Sequence, residues 1–174
     1  MLNLRFFLSC GLLLCSIAPG RASDSEIDRA SLKGLQGVFV LVEDLNAPEE
    51  QAGLKAADIQ ADAEEKLKAA GIPLLSKAQS IDTPGMPTLY ISVSVASSPA
   101  TDLWPFSIDV NLEQQATLKR SPDTFVPTAI TWHVGSIGAV DKSNVRSVRD
   151  RVNEQVAKFV NAYFKVNMTQ LNPK

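Results

Sequence analysis

The sequence predicts an α+β fold, with one mixed, mainly antiparallel five-stranded sheet and two helices on one of its faces, in the order β-α-β-β-β-β-α. Apolar and polar residues alternate over residues 89–96, 106–113 and 130–134, which is typical of strands with one buried face. Over residues 56–70 and 144–166, apolar residues recur at steps of three and four, which is typical of helices that bury one side.

The two remaining strands are predicted from apolar runs at the start of the domain. Residues 38–42 read VFVLV, a β-branched run without polar residues, and residues 72–76 follow the first helix directly. A strand, a helix and a second strand at this spacing indicate a crossover, so these two strands should be parallel. Residues 46–53 and 82–87 are rich in turn-forming residues and are predicted loops.

The last three strands are separated by short segments that contain proline. These segments, residues 98–105 and 121–127, are predicted loops, and their shortness favours an antiparallel meander. Gly135 and Gly138 follow the third alternating stretch and are predicted to end it.

The amino terminus predicts export. Arg5 precedes an apolar run over residues 6–17, and Gly20 and Ala22 place small residues at the −3 and −1 positions of a cut before Ser23. We therefore expect a signal peptide (1–22), a polar lead-in (23–31), a single domain (32–168) and a C-terminal tail (169–174). An uncleaved membrane anchor is the alternative, but the run is shorter than the ~20 residues that span a bilayer.

Both cysteines, Cys10 and Cys15, lie in the predicted signal peptide. Cleavage after Ala22 leaves a chain without cysteine, which excludes thiolate catalysis, disulfides and cysteine-ligated metals. Lipid attachment at Cys15 is an alternative, although Leu14 is bulkier than the residue that normally precedes a lipidated cysteine. We expect a periplasmic or secreted protein.

Charge argues against nucleic acid as a partner. The chain has 17 basic and 19 acidic residues, and two of the basic ones, Arg5 and Arg21, lie in the predicted signal peptide. The exported chain is therefore acidic and lacks the clustered Lys and Arg that neutralise phosphates. It also lacks a polybasic segment for anionic lipid.

No residue pattern predicts catalysis, a metal or a cofactor. His133 is the single histidine, and alternation places it on the polar side of its strand. Asp109 and Glu113 lie on the polar side of another strand. An exported hydrolase that uses these three residues is an alternative, since paired carboxylates or a histidine can act as acid and base.

Two candidate binding sites remain. Gly135, Ser136 and Gly138 precede the last helix and resemble a backbone turn that binds anions, and Arg146 and Arg149 follow in that helix. These five residues form a candidate small-anion site. The second site is a set of candidate contacts for a partner, namely Trp104, Tyr90, Asp109 and His133. Trp104 is predicted in a loop. The other three are predicted near one polar sheet face, together with Ser92, Ser94, Asn111 and Thr131.

Several segments resemble an uncharacterised family of small exported bacterial proteins. The segments are residues 34–45, 69–72, 87–90, 131–138 and 146–163. The order of elements is also similar to that of periplasmic envelope-assembly proteins of the LptE type, the lipopolysaccharide-transport lipoproteins, although the lipidation motif is missing. The family brings no known activity. The export signal, the sheet with two helices and the lack of a reactive group of residues predict a non-catalytic exported binding or accessory module in envelope assembly or transport. We expect a protein or lipid-like partner and no integral membrane segment after cleavage.

Overall fold

The protein has an α+β fold with one mixed four-stranded sheet, in the spatial order β1-β2-β3-β4. The computed structural model describes residues 24–98 and 100–168, so the predicted signal peptide and tail lie outside the described residues. The elements in chain order are α1 (Glu26–Ala30), β1 (Phe39–Val42), α2 (Ala47–Gln51), α3 (Ala56–Ala69), α4 (Lys77–Asp82), β2 (Thr88–Val95), β3 (Leu103–Leu118), β4 (Ser121–Asp141), a 3-10 helix (Lys142–Ser147) and α5 (Val148–Asn167).

The sheet is mainly antiparallel, as predicted. Strand β1 runs parallel to β2, with Val40 opposite Leu89, and β2, β3 and β4 form an antiparallel meander. Helix α3 contacts β1 and α5, and α5 contacts β3 and β4. The two long helices therefore share one face of the sheet. No helix among the described residues is both long enough and apolar enough to cross a membrane.

The core lies between the sheet and these two helices. Trp132 of β4 meets Phe159 of α5 edge to face, with ring centroids 5.3 Å apart, and both side chains are fully buried. Around this pair lie buried strand residues that alternate along β2 and β3 and buried residues at steps of three and four along the helices. They include Leu89, Ile91, Ile108, Val110, Leu112, Ile59, Ala63, Leu67, Val152 and Val156.

The predicted fifth strand at residues 72–76 is wrong. This segment forms only a parallel bridge, in which Val38 donates its N–H to Pro73 O and accepts a hydrogen bond from Leu75 N–H. Pro73 has no N–H, and the N–H of Ile72 bonds back to Leu67 O at the end of α3. The segment therefore lacks the backbone donors for a longer ladder, although its parallel direction is the predicted one.

The prediction of two helices is also wrong, because the described residues contain five α-helices and a 3-10 helix. Three of the additional helices are short and lie in segments expected to be irregular, including α1 in the lead-in and α2 in the predicted loop 46–53. Capping boxes begin α1, with Ser25 and Asp28, and α4, with Ser76 and Gln79. The predicted last helix begins instead as the 3-10 helix, where Asn144 departs from helical backbone angles.

The β3–β4 hairpin is longer than predicted. Strand β3 begins at Leu103 and β4 runs from Ser121 to Asp141, so the predicted loops contribute strand residues and the glycines do not end β4. Gly138 serves close packing instead, because a Cβ there would lie 2.7 Å from the ring of Phe106. A Cβ on Gly135 would lie 2.8 Å from an Asp109 carboxylate oxygen.

Truncation of the central aromatic pair should destabilise the fold strongly. We expect Phe159→Ala to lower the free energy of unfolding by about 3–5 kcal/mol, because it removes a fully buried ring. Phe125→Ala is the matched control, since that ring is 59% exposed and its loss should cost no more than about 0.5 kcal/mol. Urea denaturation of both variants measures the difference, and equal losses would contradict the position of the core.

Candidate functional site

One face of the sheet is free of the two long helices. On all four strands, the side chains that alternate away from the core are half-buried or exposed, and we call this surface the open face. It includes Phe39, Leu41, Thr88, Tyr90, Ser92, Ser94, Ser107, Asp109, Asn111, Glu113, Ile130, His133, Gly135, Ile137 and Ala139. The sequence prediction of a polar sheet face therefore corresponds to a real surface.

The open face is acidic. The four strands contain no lysine or arginine, whereas Asp109 and Glu113 lie on the open face and Glu43 lies directly after β1. The Glu43 carboxylate accepts a hydrogen bond of 2.6 Å from Ser92 Oγ, so it is held against β2. Carboxylates without nearby cations produce a negative potential over this side of the molecule.

Two groups on the open face have raised pKa values. Burial raises the pKa of the Glu113 carboxyl above its ordinary value. Burial also raises the pKa of Tyr90, and the hydrogen bond with Glu43 and the negative charges of Glu43 and Glu113 raise it further. The β1 side of the open face therefore has two partly buried titratable groups, Tyr90 and Glu113, with the exposed carboxylate of Glu43 beside Tyr90.

The three residues of the hydrolase hypothesis do not form a catalytic group. His133 lies opposite Asn111, and Asp109 lies opposite Gly135. His133 and Asp109 are therefore diagonal neighbours, a position in which the Cα atoms are about 7–8 Å apart. Among the described residues, no hydrogen bond or ion pair joins any two of Asp109, Glu113 and His133. A shallow hollow of about 460 Å³ contains Asp109 and His133 but not Glu113. The geometry does not supply an acid and a base acting on one point.

The candidate anion site is not assembled either. Gly135, Ser136 and Gly138 lie in extended backbone of β4, so the predicted anion-binding turn is wrong. Ser136 and Gly138 line a hollow between β4 and α5, whereas Arg146 and Arg149 line a different hollow beside α3.

Arg149 is occupied by carboxylates of α3. Its Nη2 donates to Asp62 Oδ1 at 2.6 Å, its Nε contacts Asp62 Oδ2, and its Nη1 lies 3.6 Å from Asp58 Oδ2. Asn153 adds a third hydrogen bond to Asp62. A positive charge in the first turn of a helix is unfavourable because of the helix dipole. The hydrogen bonds of Arg149 to Asp62 offset this cost and link the two long helices.

Trp104 is a core residue rather than an exposed partner contact. It lies in β3 opposite Val140, is 4% exposed, and has the ammonium of Lys142 5.7 Å from its ring centroid. Alternation from Phe106 back to Trp104 places both on the helix side of the sheet, a signal that the sequence contained. Of the candidate contacts, Tyr90, Asp109 and His133 do lie on the open face.

Two features of the site were missed from sequence. Ile137 is 88% exposed on the open face next to the edge of the sheet. Glu49 is almost fully buried, and its carboxylate accepts hydrogen bonds from the N–H groups of Val95 and Asn46 at 3.0 and 2.5 Å. The Asn46-x-x-Glu49 spacing is the sequence signal for the second feature, since it is typical of a helix start.

The Asp62–Arg149 link predicts a stability change with a defined pH dependence. The Arg149 hydrogen bond holds the pKa of Asp62 below its ordinary value of 3.8 despite burial. The stabilisation is therefore complete above that value and is lost as the pH falls through the lower folded pKa. Because Arg149 is 40% exposed, we expect Asp62→Asn to cost only about 1 kcal/mol at pH 7.

Thermal unfolding from pH 7 downward measures this effect, with Glu65→Gln on the exposed side of α3 as the control. The Tm difference between the wild type and Asp62→Asn should shrink in acid. A difference that is absent at pH 7, or that grows in acid, would contradict the assigned pair.

Comparison of the chain with protein-family models and with curated protein sequences finds no match. The resemblance to small exported bacterial proteins, and the looser one to LptE-type proteins, therefore remains a prediction.

Proposed function

We propose that this chain is a non-catalytic, exported binding module of the cell envelope that binds a protein partner through its open face. The observation that carries the proposal is an uncovered sheet face with carboxylates and without lysine or arginine. A role in envelope assembly or transport, and a periplasmic or secreted location, rest on the signal peptide predicted at residues 1–22.

The shape of the open face favours binding over catalysis. The polar side chains of the face are spread along β2, β3 and β4, and the hollow over Asp109 and His133 is shallow. Catalytic sites are normally concave and bring a few polar groups together. A broad sheet surface instead offers area for contact with another protein, with Leu41 and Ile137 as exposed apolar groups near its two edges.

Charge defines the chemistry of the partner. Burial makes ionisation of Glu113 less favourable than in water, which raises its pKa, and a cation brought beside the carboxylate relieves this cost. A partner surface with lysines or arginines satisfies this requirement and gains electrostatic steering. Anionic lipid headgroups are repelled by the same carboxylates, which favours a basic protein over a lipid surface.

Neutralising Glu113 should stabilise the free protein. Because its folded pKa lies above the ordinary value of 4.5, the penalty is absent below both pKa values and complete at neutral pH. We expect Glu113→Gln to raise the Tm at pH 7 and to leave it unchanged at about pH 3. Glu65→Gln on α3 is the control, and a lower Tm for Glu113→Gln at pH 7 would contradict the desolvated carboxylate.

Site-specific photocrosslinking in living cells tests the partner directly. A photoreactive residue replaces Asn111 in the centre of the open face or, as the matched control, Asn161 on the exposed side of α5. We expect a protein adduct from position 111 and none from position 161. Asp109→Lys should abolish the adduct, whereas Asp150→Lys on α5 should not.

Equal adducts from both positions, or an adduct unaffected by Asp109→Lys, would contradict binding through the open face. Adducts to lipid alone would contradict a basic protein as the partner. No adduct from position 111 in cells that export the chain would contradict the binding module itself.

A further inference from the structure

The two edges of the sheet differ in the residues that limit further strand pairing. At the β1 edge, residues 73–75 bond to Val38, the residue before the strand. Strand β4 forms the other edge, and its hairpin-tip half contains Pro122 and Pro127, residues that discourage further pairing. Residues 132–140, which we call the bare edge, contain no proline and none of Asp, Glu, Lys or Arg.

The bare edge is also straight and regular. All register shifts between β3 and β4 lie on the hairpin-tip side of Trp132. Unprotected edges of this kind pair readily with another strand, and proteins normally block them with charges, prolines or bulges. The absence of these devices over this stretch indicates that the edge is covered in the working protein.

Backbone geometry determines which groups the bare edge offers. Lys142 N–H donates to Asp102 O at 2.7 Å, so the even-numbered residues of β4 bond to β3. The odd-numbered residues direct their N–H and C=O groups away from the sheet. These residues are His133, Gly135, Ile137, Ala139 and Asp141.

We propose that the bare edge pairs antiparallel with the same edge of a second copy of this chain, with Ile137 on the twofold axis. This register places Ile137 opposite Ile137 of the second copy, so the most exposed apolar side chain of the sheet gains an apolar neighbour. It places Gly135 opposite Ala139, both small. It also places His133 opposite Asp141, a pair of opposite charge when the histidine is protonated.

Neighbouring registers lack this match. With Ser136 on the axis, Ile137 lies opposite Gly135, and with Gly138 on the axis it lies opposite Ala139. Both replace the contact between the two Ile137 side chains by a contact with a small residue, and both separate His133 from Asp141. The register with Ile137 on the axis is therefore the one in which the edge best complements itself, which favours a second copy over an unrelated extended peptide.

The helix side of the edge leaves room for the incoming strand. A hollow of about 470 Å³ lies between β4 and the start of α5, lined by Phe106, Ser136, Gly138, Arg151 and Gln155 among others. In the proposed register, Ser136 lies opposite Gly138 of the second copy, so small side chains meet next to the axis on this side. The pairing joins two sheets into one, and the two open faces become continuous.

Cysteine crosslinking tests the register. The protein is purified from cells that express the complete chain with Cys10→Ser and Cys15→Ser, and then oxidised with copper phenanthroline. Ile137→Cys should give a disulfide-linked dimer. Ala139→Cys on the same face should not, because in this register the two copies of residue 139 lie about 13 Å apart, beyond disulfide reach.

Sedimentation across a concentration series tests the dimer without crosslinks. Ile137→Lys should weaken dimerisation by about tenfold or more, and Ile27→Lys, at a residue of similar exposure in α1, should not. His133→Glu should weaken the dimer, and adding Asp141→Lys should restore it.

The proposal is overturned if the wild-type protein remains monomeric and the Ile137→Cys variant forms no disulfide. Equal crosslinking of the Ala139→Cys and Ile137→Cys variants would also overturn it. Crosslinks from position 137 to a different protein would assign the edge to another partner and also overturn it. These results leave the photocrosslinking test at Asn111 unaffected, so the two proposals fail separately.

Discussion

Burial of one face of the sheet under α3 and α5 is the constraint on which the rest of the structure depends. The apolar side chains of β2, β3 and β4 that alternate toward these helices form a continuous core with Trp132 and Phe159 at its centre. Because side chains alternate along a strand, the same residues that complete the core place a second set of side chains on the opposite face. That second set is free to be polar, and here it is acidic.

The sequence was informative where structure follows from local periodicity. Helix α3, the alternating parts of β2 and β3, and β4 from Trp132 onward were predicted because each pattern can be read within one segment. Ile130 was expected to be buried beside Trp132 but is 60% exposed, because the register with β3 shifts between them. Strand pairing beyond those patterns depends on distant residues, which explains why the full length of the β3–β4 hairpin was missed. The position of Trp104 was missed although the alternation that continues back from Phe106 indicated it. The segment around Pro73 failed as a strand because its backbone lacks the donors, not because its side chains are wrong for one.

The same distinction applies to the candidate site. Alternation correctly placed Asp109 and His133 on a shared polar face, but it could not show that Glu113 lies outside their hollow. The partners of Arg149 are on another helix, so its engagement by Asp58 and Asp62 was not visible in the sequence of α5. The role proposed for Ile137 depends on its position in an edge strand. The sequence does not show that β4 is an edge strand, because this follows from the strand order of the sheet.

We infer that a partner covers the open face in the cell and that the exposed side of the helices stays uncovered. The two tyrosines of the described chain provide a direct measurement, since Tyr90 lies on the open face and Tyr163 on α5, and both are half-buried. Hydroxyl-radical footprinting compares their oxidation in intact cells with that in the purified protein. The account predicts strong protection of Tyr90 in cells and no change at Tyr163, and equal oxidation of Tyr90 in both settings would contradict it.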